Sequence, residues 1–217
     1  MDLDIEQLTN EEKALVDKIL STAQELFMSI GVRSITMDDL ASKLGVSKKT
    51  LYRYINNKAD LVKYCVKKEL AKSRGEVEAI KNSSSDAIEE MILMGKMVIE
   101  SLQQFNANTI VELQKFYPES WQLVEKHHND YVLKIIKNNI LNGINEGLYR
   151  PEINVDIIAK LYVGKTQLLL EVGDYSGQHY NPSDVYTEFF SYHIRGIASS
   201  RGIGKLAIYK NKIKFSV

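Results

Sequence analysis

The sequence predicts an all-α protein: an N-terminal helix-turn-helix unit of three helices, then a larger C-terminal helical region. Three observations carry this. Only Pro118, Pro151 and Pro182 punctuate 217 residues, so long helices run uninterrupted. Strand-type alternation is scarce, while apolar residues recur at i, i+3, i+4 and i+7 in one segment after another. Finally, the stretch from Thr36 to Ile55, TMDDLASKLGVSKKTLYRYI, reads as two short helices joined by a turn of about three residues.

In chain order, Val16, Ile19, Leu20, Ala23, Leu26, Phe27 and Ile30 keep helical spacing, predicting a first helix from Thr9 or Asn10 to Ile30, closed by Gly31. In the second, Met37, Leu40, Ala41 and Leu44 share one face. Thr36 is placed as its N-cap, Asp39 completes a capping-box-like start, and Gly45 suits a left-handed C′ position. Ser47 caps the third helix. There Leu51 and Ile55 point inward with Val46, Lys49 and Arg53 lie opposite, flanked by Thr50 and Tyr52, and Lys48 and Tyr54 sit toward the edges.

A fourth helix follows Asn57, a plausible N-cap, and is expected to end near Lys72. Leu61, Val62, Cys65, Val66 and Leu70 pack one side of it, with Cys65 read as core. KNSSSD at 81–86 is a polar break, with Ser85 or Asp86 capping a helix striped by Ile88, Met91, Ile92, Gly95, Val98, Ile99 and Leu102. A short helix at about 109–116 precedes a long one from Pro118 to about Asn145, broken at Gly147. Asn154 caps a helix to about Gly173 in which Ile158, Leu161, Tyr162, Lys165, Leu168 and Leu169 are read as one register. After a Gly/Asn/Ser-rich loop at 173–184 the last main helix spans about Ser183–Ser199, and the basic tail beyond it is read as frayed or docked. The expected division is 1–65 for the helix-turn-helix unit, a fourth helix linking to about 72, and 73–217 for the rest.

Composition narrows the function. With 44% hydrophobic and 26% charged residues the chain has an ordinary globular core to bury. The formal net charge is +0, so no global attraction to polyanions exists; yet between Lys43 and Arg74 ten Lys/Arg face only Asp60 and Glu69. Cations interleaved with hydroxyls and phenols on the third helix suit a DNA groove, where cations neutralise phosphate and hydroxyls reach phosphate or base edges. A merely solvated basic face is the alternative; the coincidence of that charge with the turn chemistry favours DNA. A single cysteine excludes an intramolecular disulfide, no apolar run reaches the 18 or so residues that span a bilayer, and the acidic start MDLDIEQLTNEE lacks a signal-peptide core. A soluble, cytoplasmic protein with no membrane association is expected.

These residues carry a resemblance. AQELFMSIGVRSITMDDLASKLGVSKKTLYRYINNKADL, with its F-x-x-x-G helix end, Thr-capped short helix, G-V-S-x-x-T-L-Y-x-Y segment and following N-K-x-D-L, is similar to the DNA-binding domain of the TetR/AcrR family of bacterial transcriptional regulators. The resemblance spans roughly Val16 to Cys65. It implies a homodimeric, ligand-responsive repressor of a palindromic operator, with DNA contacts at Thr36, Lys48, Lys49, Thr50, Tyr52, Arg53, Tyr54 and Lys58. Lys58 matches the family's backbone-contacting lysine, while Lys48 and Lys49 are open between base and phosphate. It also implies a dimer built by the last two helices, for which Phe189, Tyr192, His193 and Gly196 are the candidates, and a coupling in which ligand moves the fourth helix.

No HExxH, CxxC, EF-hand loop or GxGxxG occurs, and no catalytic residue, cofactor or metal site is assigned. The adjacent His127 and His128 point about 100° apart on a helix and cannot chelate one metal together. For an unidentified small-molecule ligand the candidate wall is Met94, Phe116, Trp121, His128, Tyr131, Tyr162 and Lys165; ordinary core, with Lys165 snorkelling, is the competing reading. Two rival functions stay open: a helical enzyme or carrier retaining a helix-turn-helix head, and a regulator controlled by a protein partner.

Overall fold

A computed structural model describes residues 8–104, 107–171 and 182–213; the acidic start and most of the 173–184 loop lie outside them. The described structure is helical: α1 (Asn10–Ile30), α2 (Met37–Leu44), α3 (Lys48–Tyr54), α4 (Lys58–Ser83), α5 (Ala87–Gln104), α6 (Ala107–Phe116), α7 (Pro118–Lys126), α8 (Leu133–Asn145), α9 (Val155–Glu171), α10 (Pro182–Ile197) and α11 (Ser200–Ile213). Contacts group the chain into two units, Met1–Ala71 with Gln104–Val124, and Lys72–Gln103 with Glu125–Val217.

In the first unit the caps fall where local chemistry requires them. Thr9 and Glu12 form a reciprocal capping box on α1, and Thr36 and Asp39 form another on α2. Gly45 closes α2 at φ 68°, a left-handed geometry that a Cβ would disfavour, and Ser47 accepts the Thr50 N–H to start α3. Asn57 accepts the Asp60 N–H at 2.9 Å at the start of α4. Ile19, Leu40, Leu51, Ile55 and Leu61 are fully buried at the centre. Leu113 of α6 joins the same core, with Trp121 and Val124 of α7 packed against it. The segment 104–124, grouped from sequence with the C-terminal region, therefore belongs to the N-terminal unit. Cys65 is core as expected; burial pushes its thiol up to about 12.

In the second unit Ile88, Met91 and Ile92 of α5, Ile140 of α8 and Phe190 of α10 form the centre of the core. A polar knot is buried among them. Asn139 donates to the Ala87 carbonyl at 2.9 Å, and the Tyr149 hydroxyl lies 3.0 Å from that carbonyl and 3.1 Å from the Asn139 side-chain oxygen. Asp86 caps α5 through one oxygen, accepting the Glu89 N–H at 3.0 Å. Its other oxygen accepts from Lys205 Nζ at 3.0 Å and the Tyr209 hydroxyl at 2.8 Å. Those bonds dock the basic tail as α11, with Leu206 and Tyr209 buried.

Two boundaries differ from expectation. The helix after Asn57 does not end near Lys72 but runs to Ser83; Val77 and partly buried Ile80 continue its apolar spacing through a highly charged stretch and pack into the second core. The long helix expected from Pro118 to Asn145 contains a π-helical turn, His127–Val132, between α7 and α8. Gly147, at φ 69°, ends that path where the sequence placed a break.

Candidate nucleic-acid interface

The surface of α3 divides as its sequence demands. Leu51 and Tyr54 are buried, whereas Lys48, Lys49, Tyr52 and Arg53 are exposed and Thr50 is half-buried. Tyr52 leaves 46% of its surface to solvent. Tyr54 corrects the expectation that it lies at the edge of this face: it is 7% exposed, and its hydroxyl donates to Glu12 Oε1 at 3.3 Å. It holds α3 to α1 instead of facing outward.

Two of the exposed cations are already paired. Arg53 lies 3.3 Å from Glu12 Oε1, and Lys48 is in contact with the Asp38 carboxylate. Lys49 has no ion-pair partner among the described residues. Thr36 is exposed, but its hydroxyl is engaged with Asp39 at 2.6 Å, so its first task is the cap of α2. Lys58 donates to the Arg33 carbonyl at 3.3 Å. Burial is the main cause lowering its pKa, partly opposed by the charges of Glu112 and Asp39. Glu112 of α6 accepts the Arg33 N–H at 2.9 Å, and the Arg33 guanidinium sits 4.5 Å above the Phe116 ring.

The other candidate residues separate. Phe116 carries Arg33, and Trp121 packs on the core of the first unit, so both have structural partners there. In the second unit Met94 and Tyr162 are buried, and the Tyr162 hydroxyl pairs with that of Tyr186 at 2.8 Å. Tyr131 lies under the Arg74 guanidinium at 5.2 Å. His127, which sequence reasoning set aside, accepts from Arg74 Nε at 3.4 Å, and burial first, then His128 and Arg74, push it down to about 4. His128 is depressed by burial, and its Nδ1 has no hydrogen-bond partner. Lys165 does not face the core. It is exposed beside a shallow depression of about 310 Å³ shared with Lys160, Leu161, Gly164, Gln167 and Leu168.

Among the four candidates on α10, Tyr192 is 80% exposed and Gly196 is exposed, but His193 and Phe189 turn inward. The His193 ring stands 4.8 Å from Tyr162 and 6.0 Å from Phe189, with Nε2 unpartnered and its pKa pushed down to about 4 by burial. Those two are half-buried, packed toward the chain's own core, and so offer an association surface less than Tyr192 and Gly196 do. Sequence reasoning also missed an outward stripe on α9. Ile157, Leu161, Gly164 and Leu168 fall at i, i+4, i+7 and i+11, and the three apolar side chains are 54%, 55% and 42% exposed. A Cβ added at Gly164 or Gly196 would meet no atom within 4 Å. Opposite that stripe Ala159, Tyr162, Val163 and Thr166 are buried. No group of three or more His, Cys, Asp or Glu side chains among the described residues is placed to hold a metal ion, and none of the described helices is long and apolar enough to cross a membrane.

Residues 19–65 match the family model described as bacterial regulatory proteins, tetR family. An uncharacterized HTH-type transcriptional regulator, YvaF of Bacillus subtilis, is 27% identical over 132 residues, covering 60% of this chain and 68% of that protein. The HTH-type transcriptional repressor KstR2 of Mycobacterium tuberculosis is 22% identical over 148 residues, 65% of this chain and 72% of the repressor. The KstR2 structure from that organism superposes with a TM-score of 0.60 at 18% identity, over 89% of this chain and 98% of that one. A Saccharomonospora viridis regulator in complex with choline gives a TM-score of 0.69 at 17% identity, over 86% and 98%.

Proposed function

We propose that this chain, which belongs to the TetR/AcrR-type transcriptional regulators and not to a family of enzymes, is a homodimeric repressor that binds a palindromic operator inside the cell and leaves it when a small molecule binds. The observation that carries the DNA part is the partition of α3: Leu51 and Tyr54 inward, and Lys48, Lys49, Tyr52 and Arg53 outward on a helix whose start is capped by Ser47. A seven-residue helix reaches only a few base pairs. Two copies related by a two-fold axis, about one DNA turn apart, are needed to specify a site.

The α9 stripe supports the dimer. Ile157, Leu161 and Leu168 leave apolar side chain in water along one face of α9, as does Tyr192 on the adjacent α10, and apolar residues gathered on one face suit a contact with a partner. Gly164 and Gly196 are open on their outer sides, which lets a second pair of helices approach closely. A two-fold interface brings the same patch of each copy together, so one self-complementary stripe suffices. Repression is favoured by likeness to a named repressor. For the ligand, Met94, His128, Tyr131 and Tyr162 remain the candidate residues, joined by His193. Its unpartnered nitrogen beside two aromatic rings suits a largely apolar molecule bearing a hydrogen-bonding group. Small-molecule release is favoured by the choline complex of one structural neighbour.

Selection of bound duplexes from a random pool at a fixed, stated salt concentration tests the reading, with light scattering to give the mass in solution. Enrichment of one palindrome by a particle of two chains is expected. Binding that stays unselective and merely salt-sensitive, or a particle of one chain, would overturn it.

A further inference from the structure

Two carboxylates bracket α3, and each neutralises one of its outward cations. Glu12 comes from the first turn of α1 and faces Arg53, while Asp38 comes from the first turn of α2 and faces Lys48. Their duties differ. Glu12 also accepts the Thr9 N–H at 3.1 Å and the Tyr54 hydroxyl at 3.3 Å, so it is part of the fold. Asp38 caps nothing, because the cap of α2 is completed by Asp39. Its partner is Lys48, and both side chains are more than half exposed.

We propose that Asp38 is a specificity-determining residue: by holding Lys48 it withholds that cation from DNA of arbitrary sequence. This inference rests on the reading of α3 as the DNA-reading helix. Non-specific affinity arises almost wholly from cations that displace condensed counterions from phosphate. A lysine already paired with a carboxylate displaces fewer of them, and the carboxylate itself is repelled by the polyanion. An exposed pair is worth little, so a matched site that offers Lys48 a base edge or a well-placed phosphate opens it readily. Random sequence offers no such compensation. Asp38 thus lowers binding to every duplex but lowers it most where the match is poor.

The test measures Kd against salt concentration for the duplex selected from a random pool and for a scrambled duplex of equal composition. It uses the full-length wild type, Asp38→Asn, Lys48→Ala and the double variant, with Asp38→Ser as a second replacement and circular dichroism to verify folding. Asp38→Asn is expected to tighten scrambled DNA about three- to tenfold. It should steepen the slope of log K on log salt by about 0.9, the value for one added phosphate contact, and tighten the selected duplex less, so that the ratio between the two falls. In the Lys48→Ala background the same replacement should tighten scrambled DNA clearly less and leave the salt slope nearly unchanged, because only the carboxylate's own repulsion is then removed. Equal tightening with and without Lys48 would mean simple charge repulsion and overturn the proposal, as would unchanged binding. If Lys48→Ala alters neither duplex while the wild type still discriminates them, the latch fails and the reading of α3 survives through its other residues. If the wild type discriminates no duplex, the reading of α3 fails and the latch fails with it.

Discussion

Gly143→Ala should cost more stability than any other single methyl added to the interior of α8. The new Cβ would lie 2.1 Å from Cδ2 and 2.3 Å from Cε2 of Tyr149. That ring has nowhere to go: Tyr149 is 1% exposed, and its own N–H is held by the Gly143 carbonyl at 2.9 Å. Its hydroxyl ends in the knot with Ala87 and Asn139. Overpacking of a close-fitted core costs about 1–3 kcal/mol. Loosening the buried hydrogen bonds of the knot adds about 1–2 kcal/mol, and the gain from replacing a helical glycine offsets about 1 kcal/mol. The net loss is about 1–4 kcal/mol. With a urea m-value of about 1–3 kcal/mol per molar, the midpoint should fall by roughly 1 M when loss and m-value both lie near the middle of their ranges. The assay is urea unfolding followed by circular dichroism, every variant at the same protomer concentration, since association with a second copy adds to apparent stability. Gly75→Ala is the control. It lies on α4 with no atom within 4 Å of the added Cβ, and should gain about 0.5–1 kcal/mol. A Gly143→Ala protein as stable as Gly75→Ala would refute the packing argument.

Three further outcomes are expected from the same geometry. Lys58→Ala should weaken binding to all duplexes alike and lower the salt slope by about one, as a phosphate contact does; an unchanged slope in fluorescence anisotropy titrations would leave Lys58 only its bond to the Arg33 carbonyl. His127 and His193, each held near 4 in the folded chain, take up protons near 6.5 once unfolded. The unfolded state therefore binds more protons between about pH 6.5 and 4, and stability should be full above that window and fall as pH drops through it. His193→Phe should flatten that slope in urea midpoints measured at pH 7 and 4.5, and an equally steep slope would count against the assignment. Gly164→Ala should have opposite effects on its two states: a gain for the isolated chain from helix propensity, and a weaker dimer in sedimentation equilibrium because the added methyl stands where the partner helix approaches. An unaltered association constant would remove Gly164 from the interface.

The features legible in the sequence were local. Thr36, Asp39, Gly45, Ser47 and Asn57 act over three or four residues, so their caps and turn could be placed without knowing what packs where, and the structure has each in its expected role. The limits of α1 and the core position of Cys65 were readable for the same reason. Tyr54 was misjudged because a seven-residue helix offers too few positions for periodicity to separate a face from its edge; its ring joins the core of the first unit and its hydroxyl reaches Glu12, 42 residues earlier. The extension of α4 to Ser83 was hidden by a charged run whose only apolar anchors, Val77 and Ile80, pack against a core the sequence does not display. The π-helical turn His127–Val132 leaves no compositional trace.

The misreading of α9 has a physical lesson for association. From sequence, Ile158, Leu161, Tyr162, Lys165, Leu168 and Leu169 made one stripe, because a helix apolar on two sides satisfies the 3.6-residue period in more than one phase; the Leu169 side chain lies outside the described residues. In the structure the phases part: Ala159, Tyr162, Val163 and Thr166 serve the chain's own core, and Ile157, Leu161, Gly164 and Leu168 face outward. On α10 the same division falls between neighbours, His193 turning in toward Tyr162 and Tyr192 turning out. A single core can satisfy only one phase of such a helix. In the proposed dimer the second phase is covered by an equivalent helix, with Gly164 on the outward face leaving room for its approach. The outward apolar set on which the proposed dimer rests becomes readable only after the inward set has been subtracted.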